Sequence, residues 1–287
     1  MNLPFGMLAA FVEGAAGDGS SWFGVAVLGV LQGLTEFLPV SSSGHLSLAG
    51  ALLERSGNAV PEAGLHLTIV LHLGTLVAVA AVYGKDLLAI AREALTGKPR
   101  RLLLVAVGSV PAGVIGVAFG DRFDALASNP SVAATCLLVT AGLLLAGERS
   151  RRDAEASGRT GRPIGVLDAV LIGVAQAVAL LPGVSRSGST IATGMMRGID
   201  PAESARFSFL LGFVAIAGAA ALKVPEALAD ESVDLGRLAV GFVLSAVVGV
   251  AALRLLLLMV ARGAFLWFAL YCAAVGTAWL VLFSPVR

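Results

Sequence analysis

The sequence predicts an all-α integral membrane protein: a polytopic helical bundle of two inverted-topology repeats, each with a re-entrant broken-helix segment plus three transmembrane helices. Of the 287 residues, 57% are hydrophobic and 14% charged, against about 45–50% and about 25% in soluble domains, so polar groups are too few to cover a globular surface. Six apolar runs of 17 to 23 residues follow one another, each long enough to cross a hydrocarbon core as a helix. Two further apolar segments, half a chain apart, break at proline into similar Ser/Gly-rich turns, as broken helices do in duplicated membrane proteins. Disordered and coiled-coil classes are excluded. So is nucleic-acid binding, because 20 Lys and Arg balance 19 Asp and Glu.

The elements follow in order. Residues 1–21 form an N-terminal interfacial segment; Met1 to Gly17 carries Glu13 and lacks a basic n-region, so it does not read as a cleaved secretory signal. Repeat one, 22–147, opens with the broken segment Trp22 to Val40 and continues with spans at Leu65 to Tyr83, Leu102 to Phe119 and Ser131 to Gly147. A basic cytoplasmic loop, 148–163, leads to repeat two, 164–287. This repeat has the broken segment Ile164 to Leu181 and spans at Ala205 to Leu222, Leu238 to Val260 and Ala264 to Phe283. The whole is one structural domain. Were Trp22 to Val40 to span fully, only the N-terminus would change sides. Cys136 and Cys272 each lie alone in an apolar run and read as packing residues, as do His66 and His72. Gly29 to Gly33 and Gly116 to Gly120 are GxxxG pieces suited to helix packing.

Charge orients the bundle. Ten of the 20 cations fall in two loops: Lys85, Arg92, Lys98, Arg100 and Arg101 in one, and Arg149, Arg151, Arg152, Arg159 and Arg162 in the other. Both are therefore cytoplasmic. The Asp121 to Asp124 turn then lies outside, as does the acidic Lys223 to Arg237 loop with Glu226, Asp230, Glu231 and Asp234. Sliding the chain over itself by 144 residues lays Val27 to Gly50 on Leu171 to Gly194 with eight identities in 24 positions, among them Gln32/Gln176, Ser41/Ser185, Ser43/Ser187 and Gly44/Gly188. This offset at half the chain length favours a real duplication. Three spans per repeat is an odd number, so the second repeat is inverted.

The breaks hold the polar residues. Glu36 inside an apolar helix is expensive and marks a functional site by default; Gln32, four residues earlier, shares its face. The bland reading is that Glu36 pairs with Arg186 merely to lock the repeats together. Pro39 ends the helix, and Ser41 to Ser43 offer caps for the next one. Ser42 and His45 are three apart on one helical face, the spacing a nucleophile and its general base require. In repeat two, Pro182-Gly183-Val184-Ser185-Arg186-Ser187-Gly188-Ser189-Thr190 puts an arginine at a helix N-terminus, where the dipole, free N–H groups and guanidinium fork suit an oxyanion. Arg186 and Thr190 are four apart and can hold the same group. Under the offset Ser42 falls on Arg186, so the candidate nucleophile and the candidate phosphate clamp face each other across the pseudo-two-fold.

Gln32 to His45 and Pro182 to Thr190, with the length and span pattern, resemble the bacterial undecaprenyl-diphosphate phosphatases of the BacA/UppP type, over nearly the whole chain. The resemblance implies hydrolysis of undecaprenyl diphosphate to undecaprenyl phosphate and inorganic phosphate. It also implies recycling of the lipid carrier of cell-wall synthesis, a multi-pass place in the bacterial cytoplasmic membrane and a divalent cation, Mg²⁺ or Ca²⁺. It carries across Glu36, Ser42, His45, Ser185, Arg186 and Thr190. Gln32 stands where some members have glutamate, which removes a carboxylate from the metal site. The expected mechanism has Arg186, Ser185, Ser187 and Thr190 holding the terminal phosphate. The cation is held through Glu36 with help from Gln32, and Ser42, activated by His45, attacks in line. His45 as nucleophile and an activated water remain open alternatives. The expected partners are the polyprenyl diphosphate substrate and membrane lipids, with no nucleic acid; a homodimer is one arrangement the sequence allows. The competing function is a transporter or flippase for a phosphorylated polyprenyl lipid, which would need Arg186 and Glu36 but has no use for Ser42 and His45 together.

Overall fold

The computed structural model describes residues 22–55, 65–127, 129–158, 161–227 and 234–283. The interfacial segment 1–21, Arg159, and Asp230 and Glu231 of the acidic loop lie outside the described residues. Within them the chain is all helical, with ten helices and no strand. Six are long and apolar enough to cross a membrane, as expected: α3 (Leu65–Leu95), α4 (Arg100–Ala127), α5 (Pro130–Ala156), α8 (Pro201–Ala227), α9 (Leu235–Ala261) and α10 (Phe265–Leu282). The other four are two short pairs, α1 (Trp22–Phe37) with α2 (Ser42–Arg55) and α6 (Val166–Val178) with α7 (Arg186–Met196). Each pair is one broken segment.

The helices outrun the apolar runs that announce them. Charged residues beyond an apolar run keep good helix propensity and can reach headgroups, so Lys85 and Arg92 sit on α3 and Arg100 and Arg101 on α4. The first basic loop is thus two helix ends joined by a tight turn at 96–99, where Gly97 has φ 78°. The expected turn at Asp121 to Asp124 is not there. The chain bends at Phe119 (φ −133°, ψ 15°) and stays helical to Ala127. The turn comes at Asn129, whose side chain accepts from the N–H groups of Ser131 and Val132, with Pro130 in the first turn of α5.

The largest apolar cluster draws Phe37, Leu137, Leu144, Phe209, Leu253, Leu256 and Phe265 from α1, α5, α8, α9 and α10. Close approach is made by small residues. A Cβ on Gly33 would lie 2.8 Å from the Ser245 carbonyl oxygen, and one on Gly29 3.1 Å from that of Gly241, so this GxxxG pair seats α1 on α9. Gly116 and Gly120 do no such work: the first faces only Leu180 at 3.7 Å and the second open space. Cys136 and Cys272 are free thiols, half-buried and buried. At the basic end of repeat two, Asp168 in the first turn of α6 takes the Gly165 N–H (2.9 Å), both Nη atoms of Arg162 (2.8 and 2.6 Å) and Arg197 Nε (2.9 Å). Its carboxylate raises the Arg162 pKa and pins the entry of the second broken segment.

The contacts respect the 144-residue offset. Helix α1 lies along α9 and helix α6 along α4, while α3 packs on α8 and α5 on α10; adding 144 exchanges the first two pairs and maps the last two onto themselves. At the breaks, a Cβ on Gly44 would meet Gly183 Cα at 3.0 Å and one on Gly188 would meet Pro39 Cβ at 3.3 Å. Gly44 with Gly183 and Gly188 with Pro39 are one contact written twice, as a two-fold between the repeats requires.

Candidate active site

Both breaks are built alike. In repeat one the chain leaves α1 at Phe37, and Pro39, having no N–H, cannot continue it. Ser41 takes φ 72°, the one positive φ at a described residue other than glycine, a conformation costing about 1–3 kcal/mol that surrounding structure must impose. Its hydroxyl accepts from Gly44 N (3.3 Å) and its carbonyl from His45 N (3.2 Å), starting α2. In repeat two Gly183 takes the positive φ, 95°. Ser185 caps α7 by accepting from Gly188 N at 3.1 Å, and its carbonyl accepts from Ser189 N at 2.9 Å. Thr140 of α5 braces this turn from the side: its hydroxyl donates to Gly183 O and accepts from Ser185 N, both at 2.9 Å. The N-termini of α2 and α7 therefore meet, with Gly183 N 3.5 Å from Ser43 Oγ and Ser187 Oγ donating to Leu38 O at 3.2 Å. Two positive helix ends in one place attract an anion.

Glu36 sits between them, 8% exposed. Its Oε1 accepts from Arg186 Nη2 at 2.5 Å. Its Oε2 accepts from Ser42 Oγ at 2.6 Å and from Gln32 Nε2 at 3.0 Å, and His72 Nε2 lies 3.9 Å from the same oxygen. The pairing with Arg186, expected in the bland reading as a mere lock, is thus also the middle of a polar constellation. Two polar atoms there are buried without a partner, Arg186 Nη1 and Gln32 Oε1, and both amide atoms of Gln176, the repeat-two counterpart of Gln32, are likewise unpartnered. Unpaired buried groups cost about 1–3 kcal/mol each, which a bound ligand would recover.

Two expectations change on contact with the geometry. Ser42 and His45 share a helix face but not a hydrogen bond. Ser42 gives its proton to the Glu36 carboxylate, the stronger acceptor. His45 turns the other way: Nδ1 donates to Ser41 O at 2.8 Å, and Nε2 meets the Tyr271 hydroxyl at 2.9 Å. The expected phosphate clamp is also redistributed. Ser185 caps, Ser187 ties α7 to Leu38, and Thr190 is fully buried, bonded to Arg186 O at 2.7 Å and to Ser208 Oγ at 2.6 Å. These hydroxyls hold the helix end in place. Arg186 Nη1 and the N–H groups of Arg186 and Ser187, which lack intrahelical acceptors, are left to meet an anion. Tyr271 and Thr140 carry no signal in the sequence, and His72, read there as a packing residue, lies instead against the Glu36 carboxylate.

Among the described residues no three of His, Cys, Asp and Glu gather as a metal cluster. Gln32 turns its N–H rather than its unpartnered oxygen to Glu36, and both Glu36 oxygens accept from other groups, so this pair would hold a hard cation only once substrate phosphates displace those donors.

The family model described as bacitracin resistance protein BacA matches residues 25–278. The chain is 40% identical over 279 residues to an undecaprenyl-diphosphatase of Desulfatibacillum aliphaticivorans, covering 91% of this chain and 98% of the relative. It is 42% identical over 271 residues to one of Rubrobacter xylanophilus (89% and 97%) and 37% identical over 265 residues to one of Christiangramia forsetii (90% and 97%).

Proposed function

The chain belongs to the bacitracin resistance protein BacA family, and on that premise we propose that it is an undecaprenyl-diphosphatase, a membrane hydrolase that converts undecaprenyl diphosphate to undecaprenyl phosphate and inorganic phosphate and so recycles the lipid carrier of cell-wall synthesis. The observation that carries the reading is one carboxylate, Glu36, shared between a hydroxyl and a guanidinium where two helix N-termini meet. That is a nucleophile, its base and an anion clamp within hydrogen-bond reach of one another.

The chemistry follows from the exchange of partners. A terminal phosphate entering between α2 and α7 takes Arg186 through Nη1 and the first-turn N–H groups, and draws the guanidinium from Glu36. Losing its cation makes the buried carboxylate a better base. Ser42 Oγ attacks phosphorus as its proton passes to Glu36 Oε2. The Oγ–P bond forms, the anhydride P–O bond breaks, and undecaprenyl phosphate leaves with the electron pair. Water then attacks the phosphoserine, the P–Oγ bond breaks, a proton returns to Oγ, and inorganic phosphate departs. His45, once Tyr271 lets go of Nε2, is the second acid–base group. Gln32 would hold a divalent cation, Mg²⁺ or Ca²⁺, with Glu36 joining as a ligand only while it does not carry the Ser42 proton, and the ion would offset diphosphate charge.

The two repeats are read as inverted across the membrane, with both basic loops cytoplasmic and the enzyme in the bacterial cytoplasmic membrane. Transport of a phosphorylated lipid is the lesser reading, because a hydroxyl delivered to a carboxylate beside the anion site serves bond-making rather than passage. Phosphate release from a polyprenyl diphosphate by purified protein in detergent, with Mg²⁺ or Ca²⁺, tests the proposal. Wild type should release phosphate, and Arg186→Ala and Ser42→Ala should not. No release by wild type would end the enzyme reading. Trapped phosphate on His45, or on neither residue, would replace Ser42 with the imidazole or a water as nucleophile.

A further inference from the structure

The geometry points to Gln176 as a further phosphate-binding residue of this site, one that donates its side-chain amide to an oxygen of the terminal phosphate held by Arg186. The inference rests on the proposed function for the nature of the anion. Gln176 lies in the last turn of α6 and is 2% exposed, and neither its amide nitrogen nor its amide oxygen has a hydrogen-bond partner. A buried amide without a partner costs stability that an apolar side chain of the same size does not, so packing does not account for a glutamine here. Ser189 of α7 fixes its place. That hydroxyl lies 3.3 Å from Ala175 O and 3.2 Å from Arg186 O, so the residue before Gln176 and the first residue of α7 meet across one oxygen atom.

Repeat one shows what such an amide is for. There Gln32 Nε2 and the Oγ of Ser42, the first residue of α2, converge on one acceptor, Glu36 Oε2, at 3.0 and 2.6 Å. The 144-residue offset carries Gln32 to Gln176, Ser42 to Arg186 and Glu36 to Leu180. Repeat two thus keeps both donors and lacks the acceptor. Leu180 is apolar and lies beyond the end of α6, its Cδ1 3.7 Å from where a Cβ on Gly116 would stand. Arg186 reaches across the two-fold to Glu36 with Nη2, but its Nη1, like the Gln176 amide, has no partner. A phosphate oxygen between them is the acceptor that both lack. A carboxamide suits the task, because it donates without bringing a further charge into a buried place.

Thermal unfolding of the purified protein in detergent tests this, with orthophosphate as the probe at constant ionic strength and phosphate release measured in parallel. An anion that binds the folded state raises the melting temperature with its concentration, and the rise reports its dissociation constant. Wild type should show the rise. Gln176→Met, which fills the same space without donors, should melt no lower than wild type when orthophosphate is absent. It should bind orthophosphate on the order of 10-fold more weakly, the worth of one hydrogen bond to a charged group. KM for the polyprenyl diphosphate should rise by a similar factor with kcat little changed. Gln176→Glu, of the same shape but negatively charged, should weaken orthophosphate binding further. An amide that served the fold alone would instead lower the melting temperature of Gln176→Met without orthophosphate and leave the affinity unchanged. That result, or a wild type whose melting temperature ignores orthophosphate, would overturn the assignment. Orthophosphate binding that depends on Gln176, with no phosphate release by wild type, would sink the enzyme reading alone. Normal wild-type release, with KM and orthophosphate affinity unchanged in Gln176→Met, would sink this one alone.

Discussion

The hydroxyl of Tyr271 lies 2.9 Å from Nε2 of His45, and the two rings stack with centroids 5.5 Å apart and 7° between their planes. Because Nδ1 of His45 is committed to the Ser41 carbonyl, the phenol must donate to Nε2. It holds the one nitrogen that can exchange a proton with substrate, and it does so from α10, 226 residues away in sequence. Tyr271→Phe keeps the stack and removes the bond. It is expected to lower kcat on the order of 10-fold with KM little changed, as for a group that orients an acid–base residue. Tyr271→Ala, which removes the stack as well, should cost more. Equal loss in both variants would show that the ring alone matters.

The Glu36–Arg186 pair makes a different prediction, because it is buried and joins the two repeats. Removing one partner strands the other charge, which costs about 3–5 kcal/mol. Arg186→Ala should therefore be both inactive and destabilised. Adding Glu36→Gln should return much of the thermal stability and none of the activity. Thermal unfolding in detergent, beside phosphate release, checks this. A double variant no more stable than Arg186→Ala would mean that Glu36 is held by its other partners alone.

Much of this was legible in one dimension. Six spans and two breaks follow from apolar run length and proline, and Glu36 and Arg186 are conspicuous because a bilayer tolerates few charges. That Ser42 and His45 turn away from each other was not. Spacing puts two side chains on one face, but acceptors decide where each turns: a carboxylate six residues back draws the serine, and the carbonyl of residue i−4 draws the imidazole. Thr140 and Tyr271 carry no local signal at all. A threonine in an apolar span normally bonds its own helix, and a tyrosine near a span reads as an interfacial anchor. Thr140 does bond its own helix at Cys136 O, but its partners at the break lie 43 and 45 residues on and that of Tyr271 226 residues back, so only packing reveals them.

Thr140 supplies the third prediction. Its one hydroxyl serves both sides of the Pro-Gly break, donating to Gly183 O and accepting from Ser185 N. Val has the same shape and neither bond. Each buried group left unpaired costs about 1–3 kcal/mol, so Thr140→Val should destabilise by a few kcal/mol. It should also loosen the N-terminus of α7, raising KM for the diphosphate more than it lowers kcat. Thr140→Ser, which keeps the hydroxyl, should restore KM. If it does not, the methyl packing rather than the hydroxyl is what the break needs.

Gly212 tests how tightly Arg186 must be placed. It lies in α8, and a Cβ there would fall on the Arg186 guanidinium. Helix α8 cannot step back, because Phe209 and Leu211 beside it are fully buried, so the flexible arginine must yield. Gly212→Ala should thus push the guanidinium off Glu36 while leaving the helix better formed. The clash and the gain in helix propensity oppose each other, about 1–3 kcal/mol of overpacking against about 1 kcal/mol, so the melting temperature should change little. Activity should fall on the order of 100-fold, the typical effect of moving a catalytic group by about an ångström. Gly218→Ala on the same helix is the control: a Cβ there meets nothing within 4 Å, so it should be as active as wild type and slightly more stable. Phosphate release from both variants decides the matter. A Gly212→Ala enzyme with full activity would mean that Arg186 reaches the phosphate from more than one position and that the close packing of α8 serves the fold alone.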